Sequence, residues 1–411
     1  MTDLQAGAAT TGTGDRSWPR AALPALCATQ IIGWGILYYA FPVLAPHITA
    51  ATGWSTAQAT AAFSAALLVS ALAGIPVGRI IDRHGPRTVM TTGSVAGALA
   101  LTGVALAPDL PVFLAAWLLA GAAMAATFYP PAFAALTRWH HPHHVRALTT
   151  VTLAGGLAST LFAPLTAALA DHLDWRATYL VLAAVLAVTT IPLHALTLRA
   201  PWPPAPRPDP RTGIAPEHAA SSPARSRPFL LLAAALTLSA FAMYGTVFAL
   251  VPLIIARGAR PATAAWTLGL AGFGQTLGRT LYAALARRTG VTARTTVLIA
   301  AGGATTALLA AVPGPIPLLV VLAVASGTVR GNLTLLQATA VTDRWGTGAY
   351  GRLSALLTAP TTVAAALAPW AGAALAPALG GYPALLAACA AVSGLAAALA
   401  VLPARARRDS A

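Results

Sequence analysis

"APWPPAPRPDPRTGIAPEHAASSPARSR", residues 200–227, interrupts a chain that is otherwise almost continuously apolar. The stretch is rich in proline, polar and basic. Such a composition cannot bury a core, so it reads as a solvated linker with partly extended stretches. Six apolar runs lie on each side of it. They fall near 22–49, 57–81, 88–107, 111–136, 147–170 and 176–198 before the linker. After it they fall near 228–256, 263–286, 293–313, 315–340, 351–377 and 382–403. Each has about the 20 residues needed to cross a bilayer as a helix. Backbone groups in lipid must bond within their own segment, and nothing alternates like barrel strands, so all twelve are expected to be helices.

Composition agrees. Of 411 residues, 57% are hydrophobic and 9% charged, against about 25% charged in a soluble domain. With a mean hydropathy of +0.72, this is an integral membrane protein. The expected architecture is all-α, with twelve transmembrane helices in two pseudo-symmetric six-helix bundles. The boundaries are a disordered cytoplasmic tail at 1–20, an N-terminal bundle at 21–199, the cytoplasmic linker at 200–227, a C-terminal bundle at 228–404 and a cytoplasmic tail at 405–411. The linker is expected to act as a tether with no role in transport, so fragments 1–212 and 213–411 should work when coexpressed. The first twenty residues lack the basic start and apolar core of a cleaved signal. Cys27 and Cys389 sit in apolar runs and read as small buried residues, not a disulfide.

The net charge of +15 comes from 25 bases, all of them arginine. With both termini on one side, loop arginines gather there: Arg79, Arg83, Arg87, Arg138, Arg146, Arg287, Arg288, Arg294, Arg344 and Arg352, besides those of the tails and linker. The opposite loops hold Arg176, Arg257 and Arg260. This asymmetry places the termini in the cytoplasm of a multi-pass protein of the plasma (inner) membrane. It also accounts for the charge without nucleic acid; the expected surroundings are the lipid bilayer, with the protein a monomer.

The two halves repeat. "GIPVGR" at 74–79 resembles "GQTLGR" at 274–279, and "TRW" at 137–139 before Arg146 matches "DRW" at 343–345 before Arg352. Pro164 and Pro369 fall at similar depths. Six-helix halves related this way imply a secondary transporter with its site at the repeat interface.

Two arginines belong to no loop, Arg279 and Arg330. A guanidinium in hydrocarbon costs several kcal/mol or more, so each marks a functional position unless it snorkels or bonds to backbone. No carboxylate lies within a run: Asp82 and Asp343 are at cytoplasmic ends, Asp109, Asp171 and Asp174 at outer ones, and the rest in tails or linker. An unpaired guanidinium facing a watery cavity attracts anions and can grip a carboxylate with two parallel bonds. Ser326, Arg330, Thr334 and Gln337 share a helical face suited to a cavity wall, and Gln30, Trp34, Tyr38 and Phe41 form a second stripe. Tyr244 and Phe248, one turn apart, are further lining candidates, although aromatic stripes more often pack than line. "RWHHPHHVR", 138–146, has ligand-like histidine spacing but no cysteine or acid nearby, and a solvated loop is the better reading. His47 and His194 are poorly placed for a proton relay. No metal, cofactor or ATP-binding loop is expected, and no nucleophile-and-base set suggests an enzyme.

At "GRIIDRHGPRT", 78–88, the sequence resembles the loop between helices 2 and 3 of the major facilitator superfamily, through Gly78, Asp82, Arg83, Gly85 and Arg87; Thr88 departs from its terminal base. The resemblance covers residues 20–405. It implies a conformational gate at those five residues, with Asp82 beside the start of the eleventh helix, near Tyr350–Arg352, in an outward-open state. "DHLDWRATY", 171–179, is similar to the family's helix 5–6 junction. More narrowly, "YAFP" at 39–42, "GWS" at 53–55 and "GFGQTLGR" at 272–279 resemble the monocarboxylate porters and the related oxalate/formate exchangers. Arg279 falls on the arginine that binds substrate carboxylate there. Gln275 stands at the family's aspartate and Val43 at its lysine, the proton-handling pair.

The expected function is therefore secondary active transport of a small organic anion, a carboxylate, by alternating access, together with a coupled proton or counter-anion. Arg279, Arg330, Tyr38, Trp34, Gln275 and Gln337 are the candidate substrate-binding residues. Export of a drug-like or toxic compound, with both arginines structural, is the alternative.

Overall fold

The computed structural model describes residues 21–140, 144–202, 224–345 and 350–408. Among these residues it is helical, with no strand. In the first half, α1 (Ala22–Trp34) runs through a π-helical turn (Gly35–Tyr39) into α2 (Ala40–Thr52). Next come α3 (Thr56–His84), α4 (Pro86–Leu106), α5 (Leu110–Thr127), α6 (Tyr129–Trp139), α7 (His144–Gly156), α8 (Ala158–Ala170) and α9 (Trp175–Thr197). The second half holds α10 (Arg227–Ala256), α11 (Pro261–Arg288), α12 (Val291–Ala311), α13 (Ile316–Thr339), the short α14 (Thr342–Trp345), α15 (Tyr350–Leu379) and α16 (Tyr382–Arg408). Three pairs are single passes bent in the middle: α1–α2 at the π turn, α5–α6 at Phe128, where Pro130 and Pro131 follow, and α7–α8 at Leu157.

Among the described residues, eleven of these passes are long and apolar enough to cross a membrane. The exception is α11, which has 28 residues but carries Gly272, Gly274, Gln275, Gly278 and Arg279 along its middle. The least apolar long helix is thus the one bearing Arg279.

Helix ends follow local chemistry. Ser55 caps α3, accepting from the Gln58 amide while the Gln58 side chain accepts from Ser55, and Asp109 and Asp174 cap α5 and α9. Gly85 ends α3 at φ +80°, a conformation that favours glycine and lets the chain turn directly into Pro86 at the start of α4.

At the end of the bundle where the linker attaches, each half carries, among the described residues, one clamp between carboxylate and guanidinium. Arg138 on α6 donates to Asp82 at 2.7 Å in the first half, and Arg294 on α12 donates to Asp343 in the second. The polarity is exchanged between the repeats, because "TRW" became "DRW" and brought the acid to the other partner. The surroundings differ too. Asp82 is 65% exposed, whereas Arg294 is 4% exposed and Asp343 26%. An exposed pair contributes up to about 1 kcal/mol, and stranding a buried charge costs about 3–5 kcal/mol. Arg294 retains the carbonyls of Ala286 and Thr289, so Asp343→Asn is expected to cost roughly 2 kcal/mol and Asp82→Asn under about 1. Thermal unfolding of the two purified variants checks that order.

The linker does not leave the bundle at once. Trp202 packs over Gly85, its indole nitrogen donates to the Asp82 carbonyl at 3.2 Å, and the Arg138 guanidinium lies 4.5 Å above its ring. The Trp139 indole donates in turn to the Pro201 carbonyl at 3.2 Å. Residues 201–202 are therefore docked on the 78–88 loop, a departure from a free tether; residues 203–223 lie outside the described part. Trp202→Ala, which removes the ring from both Gly85 and Arg138, is expected to lower thermal stability by about 1–2 kcal/mol. A 1–212 fragment keeps this dock, so its coexpression with 213–411 tests the rest of the linker separately.

Candidate functional site

The site begins with glycines. On α11, Gly274 and Gly278 face α13, and on α13, Gly327 and Gly331 face α11. A Cβ at any of the four would overlap a backbone carbonyl of the other helix: Val324, Thr328, Ala271 and Gln275 respectively. Such mutual close approach of small residues is how helices associate in lipid, where burial of apolar side chains gives little drive. The interlock sets α11 against α13 at a fixed height and brings Gln275, Arg279 and Arg330 to one level.

Arg330 is 7% exposed, and its Nη2 donates to Gln275 Oε1 at 2.7 Å. Arg279 is 8% exposed and crosses to the other half, where its Nη1 donates to the Thr152 carbonyl on α7 at 2.7 Å. Gly156 opens the way. A Cβ there would sit 2.6 Å from Thr276 Oγ1 and 3.1 Å from Arg279 Nη1. The Nε of each arginine is buried with no partner, as are Trp34 Nε1 and the Tyr38 hydroxyl. Neither guanidinium meets a carboxylate among the described residues.

Both arginines line one cavity of about 140 Å³ between the halves, room for several waters or one small solute. Trp34, Tyr38 and Tyr39 enter from the first pass and Tyr129 from α6. Met243 and Tyr244 enter from α10, and Gln275 and Thr334 complete the wall. Trp34, Tyr38, Tyr129 and Tyr244 also border a vestibule of about 680 Å³ that runs toward the linker end. Its walls are apolar, from Leu67–Ile75 on α3 and Ala355–Ala366 on α15. Toward the far end the path is shut. Phe248 meets Tyr38 at 5.5 Å and Phe63 at 5.3 Å between ring centroids. Ser64 accepts from the Trp370 amide at 3.2 Å, and Thr160 donates to the Gly269 carbonyl at 3.0 Å, each bond joining the two halves.

Five of the six candidate binding residues, Arg279, Arg330, Tyr38, Trp34 and Gln275, thus line one cavity. Gln337 does not. It borders a separate space with Leu236, Ser354 and Thr358, because the helix has turned away past Thr334. Of the other stripe, Gln30 is buried below the cavity and donates to the Thr127 carbonyl, while Phe41 stacks on Phe63 inside the first half. Tyr244 lines the cavity; Phe248 forms the plug instead. Of the residues expected to form a gate, Gly85 and Asp82 are occupied by Trp202 and Arg138, and Arg87 donates to the Ala195 carbonyl. Gly78 has open space around it and Arg83 is exposed. The side chains of Tyr350–Arg352, expected neighbours of Asp82, lie outside the described residues, as does most of the 140–144 histidine run. His194 is a core residue bonded to Ser94 at 2.8 Å.

Sequence spacing missed Tyr39 and Tyr129. Consecutive residues of an α-helix point about 100° apart, so Tyr38 and Tyr39 should not share a wall. The π turn holding both widens the helix and lets them. Gly35 within it admits Phe162, whose ring occupies the space of a Cβ. The readable signal for Tyr129 was "FYPP", 128–131, a break in the middle of a membrane pass, where π turns and proline breaks gather at functional positions.

Comparison with known proteins follows the same lines. The family model of the Major Facilitator Superfamily matches residues 26–313. Monocarboxylate transporter 13 of Bos taurus is 32% identical over 209 residues, 50% of this chain and 47% of that protein. Its counterpart in Rattus norvegicus is 29% identical over 278 residues, 67% of this chain and 63% of that one. The chain spans less than two thirds of the length of each of these relatives. Among solved structures, a bacterial homolog to the human lysosomal transporter Spinster, in an inward-facing and unoccupied conformation, superposes with a TM-score of 0.78 at 16% identity. That match covers 95% of this chain and 98% of the other, and establishes the fold.

Proposed function

The chain belongs to the Major Facilitator Superfamily and is a multi-pass membrane transporter resembling the monocarboxylate branch, and from that premise we propose that it moves a small organic anion, a carboxylate, by alternating access. The observation that carries this reading is the shared cavity of Arg279 and Arg330, set between the halves, with no carboxylate in any of the twelve apolar runs of the sequence. Two buried positive charges without protein counter-ions favour an anion as their partner. Arg279 is tied to the Thr152 carbonyl through Nη1, while its buried Nε has no protein partner and is an unmet donor for a carboxylate. The tyrosines supply hydroxyl donors around it.

With the linker end placed in the cytoplasm by the positive-inside rule, the vestibule makes this an inward-facing state, with the Tyr38–Phe63–Phe248 contact as the outer plug. Gln275 and Val43 bear no charge and cannot exchange protons as an acid–base pair would, so anion exchange, or a proton carried on the substrate itself, is the coupling that fits. The apolar vestibule favours a second reading, export of a drug-like compound, in which the arginines only brace the halves.

A thermal-shift screen of the purified protein separates the two. Ligand binding raises apparent stability by about 2.7 kcal/mol at a hundredfold excess over Kd. Short carboxylates are expected to stabilise and cationic dyes are not; the reverse pattern overturns the proposal in favour of export.

A further inference from the structure

Behind the central cavity, wholly inside the second half, lies a smaller one of about 30 Å³. It is bordered by Ser239 and Thr246 on α10, Thr306 on α12, Ser326 and Arg330 on α13 and Ser393 on α16. Thr246 and Thr306 bond to each other at 3.2 Å. The hydroxyls of Ser239, Ser326 and Ser393 have no hydrogen-bond partner among the described residues, nor does the buried Nε of Arg330. Three hydroxyl donors and one guanidinium thus converge on a space that would hold a single small ion or about two waters. Polar groups this deep are normally satisfied, and a charge here must be compensated.

We propose that this cavity is a binding site for a monatomic halide, chloride under cellular conditions, held by Arg330 and the serine hydroxyls. Three features favour an anion over water alone. The only charged group at the site is a cation that does not titrate in the physiological range. None of the twelve apolar runs of the sequence holds a carboxylate to neutralise it. Hydroxyls can turn their protons toward a central anion and satisfy themselves on it. Chloride here would neutralise Arg330 from behind, leaving Arg279 as the main attractor in the transport cavity, so halide occupancy tunes which organic anions the carrier accepts.

The test uses the full-length protein in detergent or nanodiscs, with chloride titrated against gluconate at constant ionic strength and thermal unfolding as the readout. Stability is expected to rise saturably with chloride and with bromide. Ser239→Ala combined with Ser393→Ala removes two donors without adding volume, and is expected to weaken the halide midpoint by about a hundredfold or more, the worth of two hydrogen bonds to a charged group. A crystal grown in bromide should show an anomalous peak beside Arg330. No saturable chloride response, an unchanged midpoint in the double variant, or ordered water alone in the cavity overturns the proposal. Carboxylate binding is measured separately on the same samples. If it fails while the halide midpoint shifts as expected, the transport reading falls and the halide site stands.

Discussion

Arg279→Gln is expected to abolish carboxylate binding in a protein that still inserts and folds. The side chain has two tasks, and the substitution separates them. One task is structural: Nη1 reaches from α11 to the Thr152 carbonyl on α7 and ties the halves. A glutamine amide can make a similar neutral bond, so the loss of stability should stay near 1 kcal/mol, the worth of about one ordinary hydrogen bond. The other task is charge. Losing the cation and a pair of charge-assisted bonds should weaken binding by at least about a hundredfold, roughly 3 kcal/mol. Arg279→Lys refines the result. An ammonium keeps the charge but lacks the planar fork, and it cannot hold Thr152 and a carboxylate along two separate edges. Its binding should therefore fall between the glutamine variant and the parent, by about tenfold or more from the parent. Isothermal titration with the best carboxylate from the screen measures both. Unimpaired binding by the glutamine variant, with a large drop in melting temperature, would make Arg279 a brace and remove the carboxylate reading.

Much of this site is legible in the amino-acid sequence. Charge in lipid is so costly that Arg279 and Arg330 stand out from composition alone, and the absence of acids in the runs follows from the same residues. Register is not legible there. A polar stripe at helical spacing puts Gln337 with Arg330, but the cavity is narrower than the stripe is long, and the wall ends at Thr334. The opposite error leaves out Tyr39, because ideal helical geometry forbids what one π turn allows. The pairing of Asp82 with Arg138 joins two helices whose residues lie 56 apart in the chain, and spacing along the chain does not show which helix ends meet. Trp202 escapes notice because proline-rich composition describes the average behaviour of the linker, and a single aromatic side chain at its start can still dock. The glycines of "GFGQTLGR" and "GTVRG" are visible as residues and as a family pattern, yet their partners are not, since close approach needs two helices and a sequence shows one at a time.

Those glycines yield the second large effect. Gly331→Val should collapse the site without touching a charged residue. Its Cβ would fall on the Gln275 carbonyl and within 3.1 Å of the Arg279 amide, both backbone atoms of a helix that cannot move locally. Ordinary overpacking costs about 1–3 kcal/mol because side chains yield; here nothing flexible lies in the way, so the upper end or more is expected. Relief requires α13 to part from α11, which pulls Arg330 away from Gln275 and disengages the remaining three glycines together. Binding and thermal stability should therefore fall in step, unlike Arg279→Gln, where binding falls and stability nearly holds. Gly394→Ala is the matched control, since a Cβ there meets nothing within 4 Å. It should leave binding unchanged and stabilise α16 by up to about 1 kcal/mol, the usual gain of alanine over glycine in a helix. If Gly331→Val melts and binds like the parent, α11 and α13 are not interlocked as described, and the common height of the two arginines must come from elsewhere. The physical reason to expect otherwise is that lipid gives helices little hydrophobic incentive to associate, so the contact that fixes two guanidiniums at one level has to be made by backbones close enough to touch.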